Sequence, residues 1–326
     1  MDNPITRYLE DAIAAEKSFE TQLNGFASEA TLPVVRQMFE QHAVETRQQY
    51  EKLTAQLEAL GGSTSTLKSF MAHVFNMAPK AAQLGHTAEE RTAQDLMMAF
   101  AVENSEVAMY ESMIMAAESY GDTETAQLAR MIQQQEQDTA KKVWNAIAPA
   151  AVAGFESAVG TETDGARAVI IRYLEDVEAA ERNFEDALAS FSKMGEQPEV
   201  QSLMSMMSSK ARTQHQRLQA RLEALGGSPS TMKSMLAHML AFTPVSAQMT
   251  HDDSEKSSQH LMITYAAASA EMAMYESLAA SATRAGDQQT AQLARQLQTE
   301  EQEDHRLAWE RLAQSARQSA QTVAHH

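Results

Sequence analysis

The chain contains no cysteine. Disulfides and thiolate metal sites are therefore excluded, and any metal must be held by carboxylate, imidazole or amide groups. Glycine (12) and proline (7) are scarce, while Ala, Met, Gln and Glu, all good helix formers, are abundant. Basic residues are few, 26 Lys and Arg against 44 Asp and Glu, for a formal net charge of −18. That balance argues against nucleic acid or an anionic membrane as a partner, because both demand basic patches. It suits a protein that handles cations. No apolar run approaches the roughly 20 residues of a membrane span. The opening MDNPITRYLEDA lacks the basic start and apolar stretch of a signal peptide, so a cytoplasmic location is expected.

What is present is a repeat. Tyr8-Leu9-Glu10-Asp11 returns as Tyr173-Leu174-Glu175-Asp176, and LEALGGS at 57–63 returns at 222–228. Met109-Tyr110-Glu111-Ser112 returns as Met274-Tyr275-Glu276-Ser277, and TAQLAR at 125–130 returns at 290–295. Every pair is offset by the same 165 positions. A constant offset of that length is a duplicated domain, since solenoid repeats have periods of about 20–50 residues. The expected layout is a bundle over 1–150, a linker over 151–167 rich in small residues, a second bundle over 168–318 and a disordered tail over 319–326.

Each unit reads as four helices. In the first, Ile5, Leu9, Ala12, Phe19 and Leu23 recur at helical spacing. A second helix opens near Thr31 with Pro33 in its first turn and stops at Gly61-Gly62. A third spans about Glu89 to Ser119, and Gly121-Asp122 separates it from a fourth that runs to about Ala148. No segment alternates with period two. The fold class is thus all-α, two tandem four-helix bundles. The long stretch between helices two and three, with a short extra helix expected over Leu67–Met77, lets those two helices run parallel, the ferritin-like connectivity.

The chemistry lies in polar residues on the apolar stripes. The stripe 5, 9, 12, 16, 19, 23 carries Glu16; 35, 38, 42, 45, 49, 53 carries His42, Glu45 and Gln49; 96, 99, 103, 106, 110, 114 carries Glu103 and Glu106; and 129, 132, 136, 139, 143 carries Glu136. A single such Glu is most often a border residue reaching water along its own stem. Four helices doing so at similar depth bring carboxylates together, and an unpaired buried carboxylate costs several kcal/mol. Two divalent cations would neutralise four carboxylates, as in dimetal bundle cores. Oxygen-rich ligation suits manganese or oxidised iron.

The same arithmetic in the second unit gives Glu181, Lys210, Gln214, Glu271 and Glu301. Here lysine replaces Glu45, Met207 replaces His42, Ala268 replaces Glu103, and Asp304 stands where Thr139 does. Lys210 among these carboxylates reads as a substitute for metal charge. The second site is expected to be degenerate, with no dinuclear metal, unless the lysine simply reaches outward.

These residues resemble the YciE/YciF-type ferritin-like family of bacterial stress-associated proteins. The likeness lies in Ala15-Glu16-Lys17, in FEQHAVETR at 39–47, in LGGSTSTLK at 60–68, in Glu103 and Glu106 ahead of Ala108-Met109-Tyr110, and in Gly121-Asp122-Thr123-Glu124-Thr125. It implies a ferritin-like fold with a dinuclear iron or manganese site. The ligands it implies are Glu16, Glu45, Glu106 and Glu136, with Glu103 and Gln49 close by, and O2 or peroxide would be the reaction partner. Gln48 and Thr139 stand where the wider ferritin-like pattern places histidine. Two functions are compatible with this pattern. One is a metal-dependent redox protein that oxidises iron or consumes peroxide. The other is a non-enzymatic helical stress or interaction protein whose inward carboxylates are salt-bridged. By analogy with single-unit relatives, the two bundles are expected to dock as a pseudo-dimer. His73, His86, His238 and His251 read as packing or surface residues of the crossovers, and the 21 Met residues as flexible core filling.

Overall fold

A computed structural model describes residues 4–63, 86–160, 165–229 and 255–324. The described residues contain no strand and form eight helices: α1 (Pro4–Glu29), α2 (Pro33–Ala59), α3 (Ala88–Ser119), α4 (Thr123–Val159), α5 (Ala166–Phe191), α6 (Pro198–Ala224), α7 (Lys256–Ala285) and α8 (Gln288–Ala324). Local chemistry sets their ends. Pro33 and Pro198 open α2 and α6, where a missing N–H is no loss. Thr87 and Glu90 form a reciprocal capping box on α3. At the α3–α4 turn Gly121 adopts φ +76°, a conformation only glycine reaches without strain, and Asp122 then accepts the Thr125 N–H at 3.0 Å.

Side-chain pairs fix the helix directions. Thr31 with Thr92 and Glu16 with Tyr110 run α1 antiparallel to α3. Glu20 with Arg47, across the short 30–32 turn, runs it antiparallel to α2. Hence α2 and α3 are parallel and need the long crossover at 60–87, as the ferritin-like connectivity requires. The short helix expected at Leu67–Met77 lies outside the described residues. The second bundle repeats the arrangement through Tyr275–Glu181, Arg212–Glu185 and Gln214–Glu301.

The two bundles pack through the third and fourth helices of each, with α7 against α3 and α4, and α8 against α3. The contacts are reciprocal. Arg7 and Tyr8 donate to Glu255 at 2.6 and 2.7 Å, and their equivalents Arg172 and Tyr173 donate to Glu90 at 2.8 Å each. Both glutamates are buried. For Glu90, burial pushes the pKa up, but His86, the Thr87 N–H, Tyr173 and Arg172 together outweigh it and hold the carboxyl down at about 2.

Two boundaries differ from the sequence reading. The stretch 151–167 is not an open linker: α4 continues through Pro149 to Val159, and α5 begins at Ala166. A proline inside a helix costs about 3 kcal/mol. Burial of Ile147 and Phe155, worth about 1.5–3 kcal/mol each, offsets it. Gly154 makes the close approach possible, because a Cβ there would lie 3.0 Å from the Glu90 Cα. Likewise the tail after 318 is helical as far as Ala324. Ala316 and Ala320 pack into the first bundle's core, and Tyr120 donates to the Ala320 carbonyl at 3.1 Å.

Candidate metal centre

Four helices bring polar side chains to the middle of the first bundle. Glu16 on α1 sits between Ile13 and Phe19. Glu103 and Glu106 lie one turn apart on α3, and Glu136 faces them from α4. All four are 0–2 % exposed. From α2 come His42, Thr46 and Gln49, also buried. Glu45 does not join them; it is exposed. The inward stripe of α2 is 35, 39, 42, 46, 49, 53, 57, so positions 38 and 45 stand one residue, about 100° of helix rotation, away from the inward line. The expectation for Glu45 is therefore corrected: α2 delivers an imidazole and an amide instead of a carboxylate.

Two ligand groups result. Glu16, Glu106 and Glu136 offer oxygens within 4.8 Å of one another, and His42, Glu103 and Glu136 offer atoms equally close. Glu136 belongs to both. His42 Nε2 lies 3.1 Å from Glu103 Oε1 and 3.9 Å from Glu136 Oε2, yet neither ring nitrogen makes a hydrogen bond. Neither oxygen of Glu103 or of Glu106 has a hydrogen-bond donor, nor do Glu16 Oε2 and Glu136 Oε2. The other oxygens are held: the Tyr110 hydroxyl donates to Glu16 Oε1 and the Gln49 amide to Glu136 Oε1. One oxygen anchored by an outer donor and one left facing the centre is how metal-ligating carboxylates are oriented.

The electrostatics agree. Burial, then the Glu136 charge, raises Glu16 well above the usual carboxylate range. Burial and Glu136 do the same to Glu103, and burial with Glu16 and Glu136 to Glu106. Burial also raises Tyr110, with the neighbouring glutamates adding to it, so its hydroxyl keeps its proton and acts as a donor. Among the described residues, His42 is the one basic side chain paired with these four carboxylates. They therefore need cations or protons from elsewhere.

The second bundle preserves one of the two groups. Glu181, Glu271 and Glu301 converge within 4.8 Å; they correspond to Glu16, Glu106 and Glu136. The other group is gone, because Met207 and Ala268 occupy the His42 and Glu103 positions and are buried. Lys210 does not enter the triad. It spans to α8, its ammonium 2.8 Å from Asp304 Oδ1 and 2.5 Å from the Glu300 carbonyl, with 27 % of its side chain exposed. Lys210 therefore pairs with Asp304 at the rim of the site and not with the three converging carboxylates. Of the crossover histidines, His86 sits at the bundle interface, 3.3 Å from Arg172; His73, His238 and His251 lie outside the described residues.

Sequence reasoning placed His42 inward but did not count it as a ligand, and it missed the anchoring role of Tyr110. The exchange pattern between units carried the signal. A position that alternates His with Met is buried, whereas one that alternates Glu with Lys tolerates water.

Fold and site together define a tandem, ferritin-like four-helix bundle protein with a carboxylate-lined core. Both units match one protein family, described as a domain of unknown function (DUF892), over residues 5–155 and 166–321. The chain belongs to that family. No solved structure matches the chain.

Proposed function

We propose that the first bundle is a dinuclear iron or manganese centre that reacts with O2 or peroxide, either oxidising iron or consuming the oxidant. The observation that carries this reading is the pair of buried ligand groups sharing Glu136, in which six carboxylate oxygens and both His42 nitrogens make no hydrogen bond. An orphaned buried carboxylate costs several kcal/mol, and among the described residues no arginine or lysine is paired with these four. The resemblance to the YciE/YciF-type stress-associated family favours the same chemistry.

In this reading Glu16, Glu106 and Glu136 would hold one metal, and His42 and Glu103 would join Glu136 in holding the other. When bound, the metal pair supplies redox chemistry toward O2 or peroxide and neutralises the carboxylates. Tyr110 and Gln49 fix the rotamers of Glu16 and Glu136, so the ligand atoms stay convergent without reorganisation. Phe19, edge-on to the His42 ring with centroids 5.2 Å apart, holds the imidazole and keeps bulk water from that side. The Tyr110 hydroxyl, which keeps its proton, remains a hydrogen-bond donor to Glu16.

Metal content of protein purified without chelator, followed by anaerobic Fe(II) loading and exposure to peroxide or O2, tests the proposal. A dinuclear centre lost in Glu136→Gln and oxidised by one of the two oxidants is the expected result. A first bundle that stays metal-free with unchanged stability would instead make the protein a non-enzymatic helical stress or interaction protein.

A further inference from the structure

We propose that the second bundle is a single-ion site: Glu181, Glu271 and Glu301 bind one hard divalent cation. The dinuclear pattern of the first bundle has been cut in half there, not erased.

The retained residues are the telling ones. Each of the three stands at the position of a ligand of one first-bundle group, 165 residues on. Each comes from a different helix, α5, α7 and α8, and all are 0–2 % exposed. Loss of metal binding would have relieved the cost of burying three acids if any of them had become Gln, Leu or Met. The substitutions fell elsewhere, on Met207 and Ala268, which remove one ligand group cleanly and fill its space with apolar atoms.

The hydrogen bonding points the same way. Neither oxygen of Glu271 has a donor, and Glu181 Oε1 and Glu301 Oε2 have none. The remaining oxygens of Glu181 and Glu301 are anchored, by the Tyr275 hydroxyl and by the Gln214 amide at 2.7 Å. This repeats the anchoring by Tyr110 and Gln49 atom for atom. Outer donors aim each carboxylate's second oxygen at a common point. Lys210 makes no ion pair with the triad: its ammonium bonds Asp304 and the Glu300 carbonyl, and its charge only partly offsets the burial that raises Glu301. With no imidazole and no sulfur, the donor set is all oxygen, which suits Mn(II), Mg(II) or Fe(II) over softer ions. The competing way to neutralise the triad is by protons shared between Glu271 and Glu301. That arrangement excludes metal and separates the two accounts experimentally.

The site does not depend on the dinuclear reading, since no ligand is common to both. The test uses the full chain, cleared of metal, titrated with Mn(II) at neutral pH and read by metal count and electron paramagnetic resonance. Four proteins are compared: wild type, Glu271→Gln, Glu181→Gln and Glu136→Gln, with circular dichroism confirming the fold of each. Glu271→Gln should bind one Mn(II) fewer than wild type, and Glu136→Gln should retain one magnetically isolated Mn(II). Glu181→Gln should lose the same single ion. If folded Glu136→Gln binds none, or if Glu271→Gln and Glu181→Gln match wild type, the single-ion site is overturned. If wild type itself binds only one ion, lost in Glu271→Gln and kept in Glu136→Gln, the single-ion site stands and the dinuclear centre falls.

Discussion

Replacing Glu301 by glutamine should change stability in opposite directions with and without metal. Burial, with Asp304 adding to it, pushes the Glu301 carboxyl from 4.5 up to about 8 in the folded protein. In the metal-free protein between those two pH values, the unfolded chain is ionised at this residue and the folded chain holds a proton. A folded state that binds the extra proton loses stability as pH rises, by about 1.4 kcal/mol per pH unit for one group. The contribution is complete below about pH 4.5 and fades as pH climbs to about 8. At pH 7 the cost is therefore roughly 3 kcal/mol relative to pH 4.5. The substituted amide would be neutral throughout, and its carbonyl would still accept from Gln214. Denaturant titrations in EDTA should show Glu301→Gln more stable than wild type by about 2–3 kcal/mol at pH 7 and equal to it at pH 4.5. Added Mn(II) should reverse the order, because saturating ligand stabilises only the protein that binds it. A variant less stable than wild type in EDTA at both pH values would refute the reasoning, since it would mean the carboxylate is satisfied without metal.

Other consequences can be read by direct measurement. His42→Ala should cost the first bundle metal while Glu45→Ala leaves metal content unchanged; inductively coupled plasma analysis of the purified variants decides this, and a loss in Glu45→Ala would refute the α2 assignment. The double substitution Met207→His with Ala268→Glu should rebuild the missing ligand group and raise metal content by one ion per chain. At the bundle interface, Glu90→Ala should destabilise by about 2–4 kcal/mol in chemical denaturation at neutral pH, as expected when one partner of a buried ion pair is removed. Because the Glu90 carboxyl is held down at about 2, its stabilising effect is present above about pH 4.5 and is lost as the pH falls towards 2. Acid titration of stability should show that loss in wild type and not in the variant.

Much of this architecture could be read from residue patterns, and the failures have physical causes. The duplication, the four helices of each unit and the inward carboxylates of α1, α3 and α4 follow from long, regular apolar stripes in which the polar intruder is unmistakable. Helix α2 is harder, because both 38 and 39, and both 45 and 46, keep a plausible spacing. Met38 and Phe39 are both apolar, so hydropathy cannot set the phase, and the side chain that settles it, Thr46, carries no charge to draw notice. The boundaries at 151 and 319 failed for another reason. Pro149, Gly154 and the polar residues after Ala316 resemble breakers and tails in isolation. Their helical state depends on tertiary packing: Ala316 and Ala320 are buried in the first bundle's core, and α4 lies against α7, surfaces that are not visible in the local sequence.

The reciprocal clasp of Arg7 and Tyr8 on Glu255, and of Arg172 and Tyr173 on Glu90, has the form of a two-fold contact between identical subunits. In a pair of identical chains, any change at the centre of one bundle would appear in both. Joining the halves into a single polypeptide removes that obligation. It also makes their association intramolecular, at an effective concentration on the order of millimolar for a short connection. One half can then shed an imidazole and a carboxylate while its neighbour keeps them, and the clasp need not change at all. In this chain a two-fold clasp thus holds together two chemically distinct interiors.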